Sequence, residues 1–252
     1  MEDYCALNGF FTEEERADFL QSASQRVSIR EYKSGPTDEQ AERIAGLAEK
    51  YALPGVRLLP VRVIDKQVFR TLPLVGGVRG TDLAVAVLAD KTPHADLYAG
   101  ISGEALVLGA VGMGLGTCWL GSARTRALPI EAKEGERVLG VIAIGAYEAR
   151  KILRKRKKLS ELTGSDPASW PFWAYNAAET VRIAPSALNL QPWRLAYAGH
   201  TLLLRAHGPA GKLDMGIAML HMHIGVGERE HELDWGDENC VARLRILGGI
   251  NA

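Results

Sequence analysis

Three glycines recur at a fixed interval, and this repeat constrains the fold more than any other feature of the sequence. Gly103, Gly112 and Gly114 lie in "GEALVLGAVGMG"; Gly216, Gly225 and Gly227 lie in "GIAMLHMHIGVG", each pair 113 residues apart. Each segment follows a cap residue and precedes a tryptophan. Upstream, "LPGVRLLPVRV" (53–63) and "APSALNLQPWRL" (184–195) share an order of helix, Pro, short loop, Pro and strand. A fixed interval between similar segments marks a duplicated unit. The chain reads as two diverged copies of one helix–loop–strand–helix unit.

The rest of the chain gives an α+β order. Thr12, with Glu15 three residues later, opens a helix near 12–24. Thr37 caps a second, "TDEQAERIAGLAEKYA". "VRLLPVRVI", "DLAVAVLAD" and "RVLGVIAIGAY" read as strands. "SGEALVLGAVGMGLGTCWL" is expected to start at an N-cap Ser102 and, being apolar all round, to lie within a core. A polar, basic linker from about Tyr147 to Pro171 is followed by a helix near 172–183 and a loop bounded by Pro185 and Pro192. Then come the strands of "RLAYAGHTLLLRA", a helix from Asp214 and a last strand, "CVARLRIL".

Thirty basic and thirty acidic residues cancel, so no global field favours nucleic acid or an anionic membrane. No apolar run is long and unbroken enough to span a bilayer. "MEDYCALNGFFTEEE" lacks the basic and apolar regions of a secretory signal. Cys5, Cys118 and Cys240 are far apart and odd in number, which predicts reduced thiols and a cytoplasmic setting. No metal site is expected: His221 and His223, two apart on a helix, face different ways. Neither a GxSxG elbow nor an HExxH helix occurs. Cys118 and Trp170, Trp173, Trp193 and Trp235 read as packing residues, Trp193 adjoining the loop.

Three segments carry binding chemistry. In "RVSIREY", Arg26, Ser28 and Arg30 alternate, and an extended backbone would project them to one side. Two guanidiniums and a hydroxyl there suit a phosphate or a polyol, or form a solvated basic edge. In "RKILRKRKK" (150–158), seven of nine residues are basic. That run is a solvated or partner-binding face, or places Arg154 and Arg156 over a phosphate. In "GMGLGTCWLGS" the glycines end a helix, as C-cap glycines do, and do not open one as a dinucleotide loop requires. "APSALNLQPW" is a polar loop fixed by two prolines, the kind of segment on which binding residues sit.

Together these pieces resemble the flavin-dependent nitroreductase family. "RVSIREY" is similar to its Arg-x-Ser-x-Arg segment, "APSALNLQPWR" to its Pro-Ser-x-x-Asn-x-Gln-Pro-Trp loop, "GLGTCWLGS" to the end of its central helix, and "IGAY…RKRKKLSEL" to its C-terminal strand and phosphate-anchoring segment. The proline loop follows the basic segment here, which resembles the single-chain TM nitroreductase branch first seen in a hyperthermophile. The resemblance implies a nitroreductase-like α+β fold, two copies fused as an intramolecular pseudo-dimer. Residues 1–165 would form a first half with the arginine and basic segments, and residues 166–252 a shorter half with the proline loop.

It implies one composite FMN site per chain. Arg26, Ser28, Arg154 and Arg156 would hold the phosphate and ribityl chain. Arg30 would lie near flavin N1 and O2, where a cation favours negative charge. Pro185, Ser186 and Ala187 would touch the ring, Asn189 its face or edge, and Gly121 would offer an amide toward N5, with Gln191 ordering the loop. Val27 departs from the basic or His residue common at that position. The implied activity is hydride transfer from NAD(P)H through FMN to an electron-poor acceptor such as a nitroaromatic or quinone. It needs no catalytic side chain, no nucleic acid and no membrane, in a monomer or weak dimer. The alternatives are a non-catalytic flavin- or ligand-binding relic of the fold and a nucleic-acid- or partner-binding module built on 150–158.

Overall fold

The computed structural model describes residues 5–71, 76–148, 155–164, 166–237 and 240–247. The chain divides into two compact units, Gln25–Arg154 and a second made of Met1–Ser24 with Lys155–Ala252. The first helix, α1 (Glu13–Gln25), opens with a reciprocal cap. Glu15 N donates to Thr12 Oγ1 at 3.1 Å, and Thr12 N to Glu15 Oε2 at 3.0 Å. The N-terminal segment joins the second unit through Asn8, whose amide exchanges two 2.8 Å hydrogen bonds with the Leu233 backbone.

In the unit Gln25–Arg154, α2 (Asp38–Lys50) begins at a complete capping box between Thr37 and Gln40. It buries Ile44 and Ala48 and leads into β1 (Val56–Arg62) and β2 (Leu83–Ala89). Next come α3 (Ala95–Gly112), β3 (Gly116–Leu120) and β4 (Arg137–Gly145). The strands lie antiparallel in the order β1-β2-β4-β3. Every residue of β2, "LAVAVLA", is buried. Its lack of alternation is that of a central strand covered on both faces. The nearly all-apolar α3 packs on all four strands.

The second unit repeats this plan after a short α4 (Leu159–Thr163). Its elements are α5 (Phe172–Ile183), β5 (Trp193–Ala198), β6 (Thr201–Ala206), α6 (Lys212–Gly225), β7 (His231–Trp235) and β8 (Ala242–Ile246). The strand order β5-β6-β8-β7 has the same connectivity as that of the first sheet. The repeated glycines now have a physical cause. Gly112 and Gly225 are the last residues of α3 and α6, while Gly114 (φ 78°) and Gly227 (φ 70°) turn left-handed to leave the helix. Glycine enters that region without the steric penalty of a Cβ.

Some boundaries differ from the sequence expectation. α3 starts at Ala95, so Ser102 is buried in mid-helix, where its Oγ accepts the Leu53 N–H at 3.1 Å. "GTCWL" is not helical but forms β3, because Gly114 ends the helix first. α6 begins at Lys212 rather than Asp214, and β7 was not expected at all.

Candidate functional site

The arginine segment follows α1 directly and is extended from Ser28 onward. Ile29 N donates to Thr117 O at 2.9 Å, Tyr32 N to Arg79 O at 3.0 Å, and Lys33 N to Ala146 O at 2.8 Å. These bonds fix the segment between β3, residue 79 and the end of β4. Gly80 permits the contact: a Cβ there would stand 2.0 Å from Tyr32 O. Ser28 and Arg30 line a depression of ≈ 560 Å³ together with Lys33, Arg79, Tyr147 and Glu148. Arg30 Nη1 donates to Gly76 O at 2.7 Å.

Arg26 lies elsewhere, outside the lining of that depression. Its side chain is 2% exposed, with Nε 3.7 Å from Oε1 of Glu104, itself 0% exposed. Trp119 Nε1 donates to the other Glu104 oxygen at 2.8 Å. Burial pulls the Arg26 guanidinium down from its usual range, while Glu104 opposes that change. Among the described residues, Arg26 Nε and Thr117 Oγ1 are buried without a hydrogen-bond partner. Cys118 is buried, and burial pushes its thiol up, against the cations Arg30 and Arg26. A thiol held protonated is a poor nucleophile. Gly121 is exposed in the turn after β3, and a Cβ built there meets nothing within 4 Å.

In the second unit, the proline loop is held in an unusual backbone. Leu188, Asn189 and Gln191 have φ of 52°, 56° and 48°. Each such non-glycine residue costs about 1–2 kcal/mol, so the surroundings must enforce the shape. Gln191, 1% exposed, does much of this. Its Oε1 accepts Lys157 N–H at 2.7 Å, and its Nε2 donates to Arg182 O at 2.8 Å. Its own N–H reaches Ser186 Oγ at 2.9 Å. Ala187 N–H donates to Asp214 Oδ1 at 3.0 Å. Burial raises the Asp214 carboxyl, and the Ala187 bond opposes that.

Asn189 Oδ1 accepts from Arg156 Nη1, and its Nδ2 donates to Lys155 O at 3.0 Å. Arg156 Nη2 also reaches Ile183 O at 3.2 Å. The fold thus brings Arg156, Ser186, Ala187 and Asn189 together around one loop, with Pro185 buried at its start. Arg154 lies outside the described residues.

Sequence reasoning missed Glu104, Trp119, Asp214 and the Lys157 backbone. A signal existed for Glu104: one acid among the apolar residues of the middle of α3. The pairing of a buried histidine, His223, with its half-buried neighbour His231 was also missed. His231 Nδ1 sits 2.7 Å from Arg229 O, and its Nε2 lies 2.8 Å from His223 Nδ1. Arg16 Nη1 lies 3.3 Å from His231 Nδ1. Among the described residues, no group of three or more His, Cys, Asp or Glu could hold a metal ion, and no helix is long and apolar enough to cross a membrane.

Residues 18–226 match the model of the family described as "Putative TM nitroreductase". No curated protein matches the chain. Among solved structures, a nitroreductase described as putative, from Thermotoga maritima, is 22% identical with a TM-score of 0.64, covering 90% of this chain and 92% of that one. A second, from Desulfovibrio desulfuricans and solved in complex with FMN, is 25% identical with a TM-score of 0.47, over 59% of this chain and 96% of that one. A third, from Parabacteroides distasonis and described as a putative NADH dehydrogenase/NAD(P)H nitroreductase, is 18% identical with a TM-score of 0.47, over 57% of this chain and 95% of that one.

Proposed function

The chain belongs to the TM nitroreductase family, and from that premise we propose that it is an FMN-dependent oxidoreductase taking hydride from NAD(P)H. The acceptor is an electron-poor molecule, a nitroaromatic or a quinone. The observation that carries this reading is the proline loop, where three left-handed residues are enforced by Gln191, Arg156 and Asp214. Backbone strain over-determined by its surroundings is typical of a ligand clamp.

The residues present fit the cofactor. Arg26 Nε and Thr117 Oγ1 are buried polar atoms with spare hydrogen-bonding capacity, suited to the hydroxyls of a ribityl chain. Arg30 supplies the cation for the ring's N1–O2 edge. Pro185, Ser186 and Ala187 are assigned to the ring by the family resemblance, and Asn189 to its face or edge. Gly121, exposed in the turn after β3, is assigned to offer its backbone amide. Ser28 and Arg156 are assigned to the phosphate and ribityl chain. FMN, when bound, supplies the hydride and electron chemistry, so no side chain of the protein has to act as an acid or base. The proline loop and the arginine segment each occur once in the sequence, which predicts one flavin per chain.

The test is the visible absorption of the purified protein after FMN is added and excess removed. A retained flavin band, weakened by Asn189→Ala, together with acceptor-dependent NAD(P)H oxidation giving parallel double-reciprocal lines, supports the reading. A protein that retains no flavin refutes it. A second reading, a flavin-binding relic without turnover, is favoured by the internal pairing of Arg26 with Glu104 and of Arg156 with Asn189. Bound flavin without NAD(P)H oxidation identifies that case.

A further inference from the structure

We infer that Glu104 sets the preference of the site for a phosphorylated over an unphosphorylated flavin, by balancing the charge of Arg26 inside the fold. The inference rests on the reading that a flavin binds. Arg26 and Glu104 are 2% and 0% exposed, with Nε and Oε1 3.7 Å apart. Two opposite charges so deeply buried act on a third charge as a dipole, not as a cation. Arg26 can still donate through Nε, which has no hydrogen-bond partner among the described residues. A donor without net charge serves a hydroxyl or a ring oxygen as well as a phosphate dianion.

Glu104 is fixed in this role by its neighbours. Its second oxygen is held by Trp119 Nε1 at 2.8 Å. The Trp119 ring reaches it because Gly103 has no side chain: a Cβ there would lie 2.3 Å from Cη2. The carboxylate is therefore oriented from one side by an indole on β3 and faces the Arg26 guanidinium with the other. Nothing in this arrangement requires the phosphate to neutralise Arg26.

The experiment compares FMN and riboflavin affinities, by quenching of flavin fluorescence, in three forms of the full chain. In the Glu104→Gln variant, Arg26 is left as an uncompensated buried cation. The ratio of FMN to riboflavin affinity is expected to rise about tenfold or more, and FMN but not riboflavin to raise its melting temperature. Because that variant risks misfolding, the neutral pair Arg26→Gln/Glu104→Gln is measured beside it, with no buried charge left to compensate. Its affinity ratio is expected to stay within about threefold of the parent's, since the pair it replaces carried no net charge. A drop of tenfold or more in the double variant would show that Arg26 serves the phosphate as a free cation, and would overturn the inference while leaving flavin binding intact. An unchanged ratio in a folded Glu104→Gln protein would overturn it equally. Failure of the parent to bind either flavin would remove both this inference and the reading beneath it.

Discussion

The histidine pair makes a quantitative prediction about acid. His223 and His231 share a 2.8 Å hydrogen bond inside the second unit, with Arg16 nearby. Burial lowers His231 from 6.5 to about 4, the Arg229 carbonyl opposing and Arg16 reinforcing the change. Burial, then the charges of His231 and Arg16, hold His223 well below the usual range. The folded state therefore prefers both rings neutral, whereas the unfolded chain accepts protons near 6.5. Stability from this pair is fully present above that value and is lost as pH falls toward the folded pKa.

Each tenfold weakening of proton affinity on folding is worth about 1.36 kcal/mol, so His231 alone accounts for a loss of about 2 kcal/mol by pH 5 and about 3 kcal/mol by pH 4. Protonating His223 adds to that. Urea unfolding at pH 7, 6 and 5 measures the effect before most carboxylates titrate. Asp214 works in the opposite sense, because its folded pKa is raised. A free energy of unfolding that is flat from pH 7 to 5 refutes the argument. So does a loss of the same size in a protein where both histidines are replaced by glutamine.

Two further outcomes follow from packing. Gly103→Ala forces a methyl group to within 2.3 Å of the Trp119 ring and should cost about 1–3 kcal/mol by thermal unfolding; a melting temperature equal to the parent's would mean that the ring moves aside freely. Gln191→Leu removes the hydrogen bonds to Lys157 N and Arg182 O and should cost about 2–3 kcal/mol. It should also expose 184–193 to limited proteolysis and weaken FMN retention; an equally protected loop would show that it is held by other contacts.

The repeat was legible because its glycines answer to backbone geometry, which side-chain divergence leaves untouched. The capped helices α1 and α2 were legible for a related reason: Thr12 and Thr37 satisfy amide groups that would otherwise be bare. The start of α3 was not. Its N-cap is His94, left-handed at φ 65° and without a side-chain cap bond, and an apolar run has no period to show where it begins. Ser102 drew attention as a polar residue but serves Leu53 from mid-helix. β7 was hidden because only Leu233 of "HELDW" is buried.

The arginine segment shows the limit of counting by twos. Arg26 stands at the end of α1, so the alternation that governs Ser28 and Arg30 does not extend to it. The proline loop was recognisable as a motif, and Gln191 as its organiser. No spacing rule, however, pairs Asn189 with Arg156 across more than thirty residues, because that pairing depends on how the chain folds back.

The shared topology of the two units has one more consequence. In an assembly of two identical chains, every substitution arrives twice, and a change useful on one side must be tolerated on the other. Here the two units of like topology belong to one chain, and each can drift alone. The interval that relates the glycines sets Glu104 opposite Ile217, a carboxylate in one core helix and an aliphatic side chain, 2% exposed, in the other. A buried charge that two identical subunits would have to accommodate in duplicate is needed only once in this chain. A chain that carries one topology twice can thus specialise each unit separately.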